Sequence, residues 1–349
     1  MKIITCASYY GSGSSALTDL VSEYGNVKDM SNFEFRFLHD LDGVRDLEYQ
    51  LVENHNRHNS GHALKRFKKL SKFNEGNVFS KRYSKFFEGN EFRTITNDYI
   101  NSLIDFSYPG WWFYDLYDKG SKIYYAYQIL NHLFRKLAKG KLRILPNEVT
   151  YCSHPTETQF VEHTKTYVSR LMRALNKEGK EYLEIDQILP SSNLDSFFRY
   201  FEDELFVFIV DRDPRDIYLL GKYHWQDGIC PSDPELFCKW YKYARRSGAG
   251  KPDNNSHVLK LQFEDLIYRY NETVSCVEQM TGLTTDNHNR QFIKLNPRRS
   301  VVNTRLWLKY AEDEGVRIIE SRLPEFLYDY SEIDVDNICG VDVDNKTNF

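Results

Sequence analysis

The chain has 349 residues, with 46 Lys and Arg against 50 Asp and Glu, so its formal net charge is −4. That length is enough for one large domain or two modest ones, and the near-neutral balance excludes a dedicated nucleic-acid binder, which needs a basic surplus to displace counterions. No apolar run reaches the roughly 18 to 20 residues of a membrane span. Six cysteines lie without CxxC spacing, so they read as reduced thiols in a cytoplasmic protein rather than a disulfide framework or a zinc site.

Lys2 to Cys6 is a short β-branched run, followed by Gly11-Ser12-Gly13-Ser14-Ser15 and then apolar residues at 16, 17, 20 and 21. The spacing predicts strand, Gly/Ser loop, helix. Phe33 to Leu38 alternates in polarity and is predicted as a second strand. From 44 to 178 the pattern is mainly helical and polar, and forms a large insert with amphipathic stretches around Ala63–Phe67 and Thr158–Leu175. It carries an aromatic cluster at Trp111, Trp112, Tyr114 and Tyr117. Strand patterns return at Tyr182–Ile185, Leu205–Val210 and Val258–Phe263, the last followed by one helix from about Glu264 to Met280 that Gly282 can end. The fold class is therefore α/β, a mostly parallel central sheet flanked by helices with a large helical insert. The core takes 1–43 and 179–325, and an acidic tail of 334–349 frays. In such sheets ligands bind beyond the carboxyl ends of the strands.

Two motifs stand at such ends. The Gly/Ser loop at Gly11, Ser12, Gly13, Ser14 and Ser15 presents backbone N–H groups at a helix N-terminus, which makes it either a phosphate cradle or a polar turn with a serine cap. It is not a Walker A loop, because no Lys follows the second Gly. The apolar strand Leu205–Val210 ends in Asp211-Arg212-Asp213-Pro214-Arg215-Asp216. Arg212 emerges at the strand's carboxyl end, where its planar fork suits a phosphate monoester. Arg215 and Asp216 read better as partners at a helix start, with Pro214 in the first turn.

In this order the two motifs resemble the sulfotransferase superfamily, which uses 3′-phosphoadenosine 5′-phosphosulfate as donor. The segment Leu259–Leu266 is similar to that family's Arg-Tyr-Glu-Asp-Leu start, and Asn296–Trp307 to its late loop over the nucleotide. The resemblance covers about residues 1–40 and 180–310. It implies a sulfotransferase acting on a hydroxyl, most plausibly of a saccharide, with the donor held by Gly11–Ser15, Arg212, Arg298, Arg299, Ser300 and Asn303. By analogy with carbohydrate sulfotransferases, Glu34 ranks first as the base and His39 second. Arg36, Asp186, Trp111 and Trp112 are candidates for the acceptor side, with ion pairing, helix capping and core packing as the competing roles.

Two departures stand out. Gly11 occupies the place of the family's loop Lys or Arg, leaving Arg36, Lys65, Arg66 or a helix N-terminus to neutralise the leaving oxygen, or else a slow enzyme. Leu220 stands where the family tends to place Ser. Among the ten histidines, His154, His163, His224 and His257 lack ligand spacing, and no metal is expected. The rival readings are a P-loop kinase and a nucleotide-binding module that has lost turnover. The oligomeric state and the identity of the acceptor are left open.

Overall fold

The computed structural model describes residues 1–30, 33–77, 79–138, 145, 147–226, 228–246, 255–335 and 337–341; the end of the expected acidic tail, 342–349, lies outside the described residues. Among these residues there are seven strands: β1 Lys2–Cys6, β2 Val27–Lys28, β3 Phe106–Pro109, β4 Val149–Cys152, β5 Tyr182–Glu184, β6 Glu204–Asp211 and β7 Val258–Gln262. The chain divides into two compact units, one of Met1–Arg36 with Asn176–Phe349 and the other of Phe37–Leu175.

In the first unit five strands form an all-parallel sheet in the order β2-β5-β1-β6-β7. Leu205 to Val210 of β6 are all buried, as a parallel sheet covered on both faces requires. The helix Ser14–Ser22 lays Ala16, Leu17, Leu20 and Val21 against Ile4, Phe206 and Phe208, which closes the core on one face. The helix Pro214–Leu220, every residue buried, packs with Phe237, Tyr241 and Ile319 in a second cluster.

Topology decides where a ligand can sit. After β1 the chain travels toward β5 and β2, whereas after β6 it travels the other way, to β7. The order therefore reverses between β1 and β6, and the crevice at such a switch point is open to ligands. Register brings Cys6 opposite Phe208 and Asp211 opposite Gln262, so the loops leaving β1, β6 and β7 rise side by side.

Three local expectations are corrected. Phe33–Leu38 is not a strand. Phe35, Phe37 and Leu38 are buried, which explains the alternation. The backbone of this segment instead bonds to the sheet region from Phe35 N–H to the Asp186 carbonyl at 3.0 Å, and the edge position goes to the two-residue β2. The long helix after β7 is two, Phe263–Tyr268 and Tyr270–Thr281, broken at Arg269 and ended by left-handed Gly282. The 37–175 unit is helical, with Asn59–Glu75, Glu91–Ser102, Ser121–Ala138 and Glu157–Leu175 as its longest elements, but β3 and β4 add an antiparallel pair. Its core is aromatic, with Tyr99 stacked on Tyr167 at 4.3 Å and Phe67 edge-on to both.

Candidate functional site

The loop after β1 is fixed to the sheet before it turns. Ala7 N–H donates to the Phe208 carbonyl (2.7 Å), and Ser8 Oγ accepts from Val210 N–H (2.8 Å). The Tyr9 carbonyl then accepts from both Ser12 N–H and Ser12 Oγ, which spends the fully buried Ser12 on shaping the loop. Gly11 and Gly13 are left-handed, at φ +72° and +81°, a conformation that side-chain-bearing residues avoid at about 1–2 kcal/mol. Neither has room for a Cβ, which would lie 2.7 Å from the Trp225 ring at Gly11 and 2.5 Å from the Phe263 ring at Gly13. The loop backbone thus runs unshielded into the helix Ser14–Ser22, whose first-turn N–H groups have no acceptor inside the helix and carry the positive end of its dipole.

Each residue of the Arg212 motif has a separate task. Asp213 caps the helix Pro214–Leu220 by accepting from Arg215 N–H, and Arg215 returns a forked pair to the same carboxylate at 2.7 and 3.0 Å. Arg215 also stacks 3.6 Å over Trp307 and pairs with Glu320. Asp216 does not pair with Arg215. It accepts from Arg305 N–H (3.1 Å) and Leu306 N–H (2.7 Å), which pins the late loop to the motif. Burial pushes the Asp216 carboxyl up to about 7 and that of Glu264, which accepts from Asp213 N–H, up to about 8, both against the pull of the Arg212 cation.

Arg212 itself is buried, lies 4.7 Å over the Phe263 ring and donates from Nη2 to the Asn303 carbonyl. Its Nε and the Asn303 side-chain oxygen are both buried with no hydrogen-bond partner among the described residues. Burying such groups unpaired costs about 1–3 kcal/mol each, so this is a place built to receive a polar ligand. Arg212 and Asn303 line one cavity of 470 Å³ together with Gly11, Gly13, Ser14 and Ser15. The two distant stretches of chain therefore converge on one space, of ordinary size for a small-molecule site. Tyr9, Trp225 and Phe263 give it aromatic walls.

Glu34 and Arg36 line the same cavity as a half-exposed ion pair, Oε2 to Nη1 at 3.5 Å. Gln187, at φ +54°, is also in its wall and donates its N–H to the Cys6 carbonyl. Asp186, one residue earlier, is buried with Oδ1 unpartnered among the described residues; burial, reinforced by the Glu34 charge, pushes it up to about 7. Two residues before Asp186, at the end of β5, burial drives Glu184 well above the carboxylate range.

The other sequence-predicted residues lie elsewhere. Arg298 Nε donates to the Ile338 carbonyl and Arg299 Nη2 to the Lys294 carbonyl; neither they nor Ser300 line the cavity. His39, Trp111 and Trp112 belong to the 37–175 unit, where Trp112 stacks on His58 at 4.0 Å and Trp111 meets Tyr127 edge-on. Lys65 is held there by Asp115 and Glu148, and Arg66 by Asp42, which leaves Arg36 as the cavity's own cation beside Arg212. Leu220 lines the cavity without offering a hydrogen bond. Tyr9, Trp225 and Phe263 escaped the sequence reading, although Phe263 stands at a strand end already marked for ligands and two glycines beside bulky rings are a readable sign of close approach. Among the described residues no group of three or more His, Cys, Asp and Glu is placed to hold a metal.

No protein-family profile and no curated protein sequence matches the chain. Among solved structures, the sulfotransferase STF1 from Mycobacterium tuberculosis is similar at a TM-score of 0.35, with 12% identity over 92% of this chain and 76% of that one.

Proposed function

We propose that the chain transfers a sulfuryl group from 3′-phosphoadenosine 5′-phosphosulfate to a hydroxyl, with a saccharide as the acceptor class. The observation that carries this reading is the convergence of the left-handed Gly11–Gly13 loop and the unpartnered Arg212 Nε on one cavity. Glycines that a Cβ would block and an arginine fork with unfilled valence fit the two phosphate-bearing ends of such a donor.

In this reading the N–H groups at Gly13 to Ser15 hold the 5′-phosphosulfate, while Arg212 holds the 3′-phosphate, joined by Asn303 through its donating Nδ2 amide. Sulfuryl transfer is an in-line displacement in which catalysis is mostly positioning and electrostatics. The acceptor oxygen bonds to sulfur as the bridging S–O bond breaks, and its electron pair leaves on the 5′-phosphate. Arg36 offsets that developing charge in the absence of a loop lysine. Glu34, whose side chain lines the cavity beside Arg36, takes the acceptor's proton. The saccharide assignment draws on the Glu34 segment and on the half-exposed Trp112, which lines a cavity of 230 Å³ in the 37–175 unit with Arg57, His58 and His62.

A second reading, a module that binds the nucleotide without turnover, draws on Gly11 and Leu220. Calorimetric titration with adenosine 3′,5′-bisphosphate and with ATP separates these from a kinase: the bisphosphate binds and ATP does not. Transfer of labelled sulfate from the donor to a glycan panel then supports the enzyme; tight bisphosphate binding with no transfer to any hydroxyl supports the module. Binding of ATP alone refutes both.

A further inference from the structure

The helix Ser121–Ala138 breaks the ordinary rule for a surface helix. Such a helix turns its apolar stripe inward. Here Ile123, Leu130, Leu133, Phe134 and Leu137 recur at helical spacing, and all are solvent-exposed, Leu130 by 54% and Leu137 by 86%. The helix is docked instead through its flank, by Tyr127 and Asn131, the first held edge-on by Trp111. Its apolar stripe is left exposed among the described residues.

Charge says what covers it. The helix carries Lys122, Arg135 and Lys136 and no acidic residue, and over 119–143 the sequence holds seven Lys or Arg with no Asp or Glu, in a chain whose net charge is −4. A partner face of another copy of this acidic chain would need local acids to match; an anionic lipid surface supplies them uniformly. Among the described residues no helix is long and apolar enough to cross a membrane, so the helix fits lying on a bilayer rather than through it. Tyr117, 60% exposed in the segment just before the helix, is a residue type that settles at the headgroup level.

We propose that Ser121–Ala138 docks the protein onto an anionic phospholipid bilayer, with its leucine stripe in the acyl boundary and its lysines and arginine on the headgroups. The apolar stripe provides the depth and the cations the lipid preference, since each Lys or Arg near such a surface contributes about 1 kcal/mol, or roughly fivefold in affinity.

The test is flotation of the full chain with phosphatidylcholine vesicles, with and without about 30% phosphatidylglycerol, at about 50 mM and about 500 mM NaCl. The expected result is binding to the anionic vesicles at low salt, at least about tenfold weaker on neutral vesicles or at high salt. The double variant Leu130→Glu, Leu137→Glu abolishes binding, and Arg135→Gln with Lys136→Gln weakens it roughly 25-fold, two charges at fivefold each. All four side chains are at the surface, so the melting curve of each variant stays that of the parent, and a collapsed melt is answered by repeating the assay with Leu137→Glu alone. Three outcomes overturn the proposal: no vesicle binding by a monomeric parent, binding indifferent to the leucine changes, or a dimer seen by light scattering that Leu130→Glu dissociates while vesicles are ignored.

Discussion

Replacing Arg212 by Ala tests the convergence of the two loops most directly. The guanidinium spends one N–H on the Asn303 carbonyl and rests on the Phe263 ring, while its Nε is without a partner among the described residues. A phosphate seated there gains charge-assisted bonds worth about 1.5–3 kcal/mol, which is roughly a 10- to 150-fold loss in Kd when the side chain is removed. Arg212→Lys keeps the charge but not the fork, and falls between. The assay is titration calorimetry with adenosine 3′,5′-bisphosphate on variants whose circular dichroism and melting match the parent. An unchanged Kd for Arg212→Ala in a folded protein refutes the placement of the phosphate, whatever else the cavity binds.

Glu34→Gln lowers kcat by about 10² to 10⁴ if Glu34 takes the acceptor's proton, with the nucleotide Kd unchanged; full turnover moves that role to another residue. Gly13→Ala meets both a left-handed backbone and the Phe263 ring 2.5 Å from the new Cβ, so it lowers stability by about 2 kcal/mol or more and weakens nucleotide binding through the ring beneath Arg212. An undiminished melting temperature contradicts the loop geometry. Asp186 and Asp216, raised to about 7, and Glu264, raised to about 8, bind more protons folded than unfolded, where carboxylates titrate near about 4. Stability therefore falls as pH rises from about 4 through 8. Urea midpoints at pH 6 and 8.5 check the sign, with a flatter profile expected for Glu264→Gln; a higher midpoint at 8.5 refutes it.

The central strands β1 and β6 were legible because they are buried on both faces, as a parallel sheet demands, and the edge strand β7 because Leu259 and Leu261 alternate with Lys260. β2 is too short to leave a pattern, and Phe33–Leu38 has the pattern without the ladder because its burial comes from packing alone. β3 is four exposed residues ending at Pro109, so the alternation of Phe106 and Tyr108 with Ser107 is too short to read as a strand. At the site, Arg212 and the glycine loop could be read because charge or missing side chains at a strand end are rare. The aromatic walls could not, since Trp225 reaches the cavity from beyond the helix Pro214–Leu220 by a path no local spacing encodes. Arg298 and Arg299 show the reverse: the late-loop resemblance assigned them to the donor, but they lie outside the cavity, with Arg298 Nε on the Ile338 carbonyl and Arg299 Nη2 on the Lys294 carbonyl.

The indole of Trp225 fills the volume that a side chain at position 11 would need. The two positions are thereby epistatic: a lysine introduced at 11 alone collides with the ring, and trimming Trp225 alone leaves a hollow beside a glycine. A chain that gained the missing loop cation would have to change both together. The pair Gly11→Lys with Trp225→Ala is accordingly expected to be less damaging than the two single changes summed, a non-additivity that a double-mutant cycle on melting temperature can read.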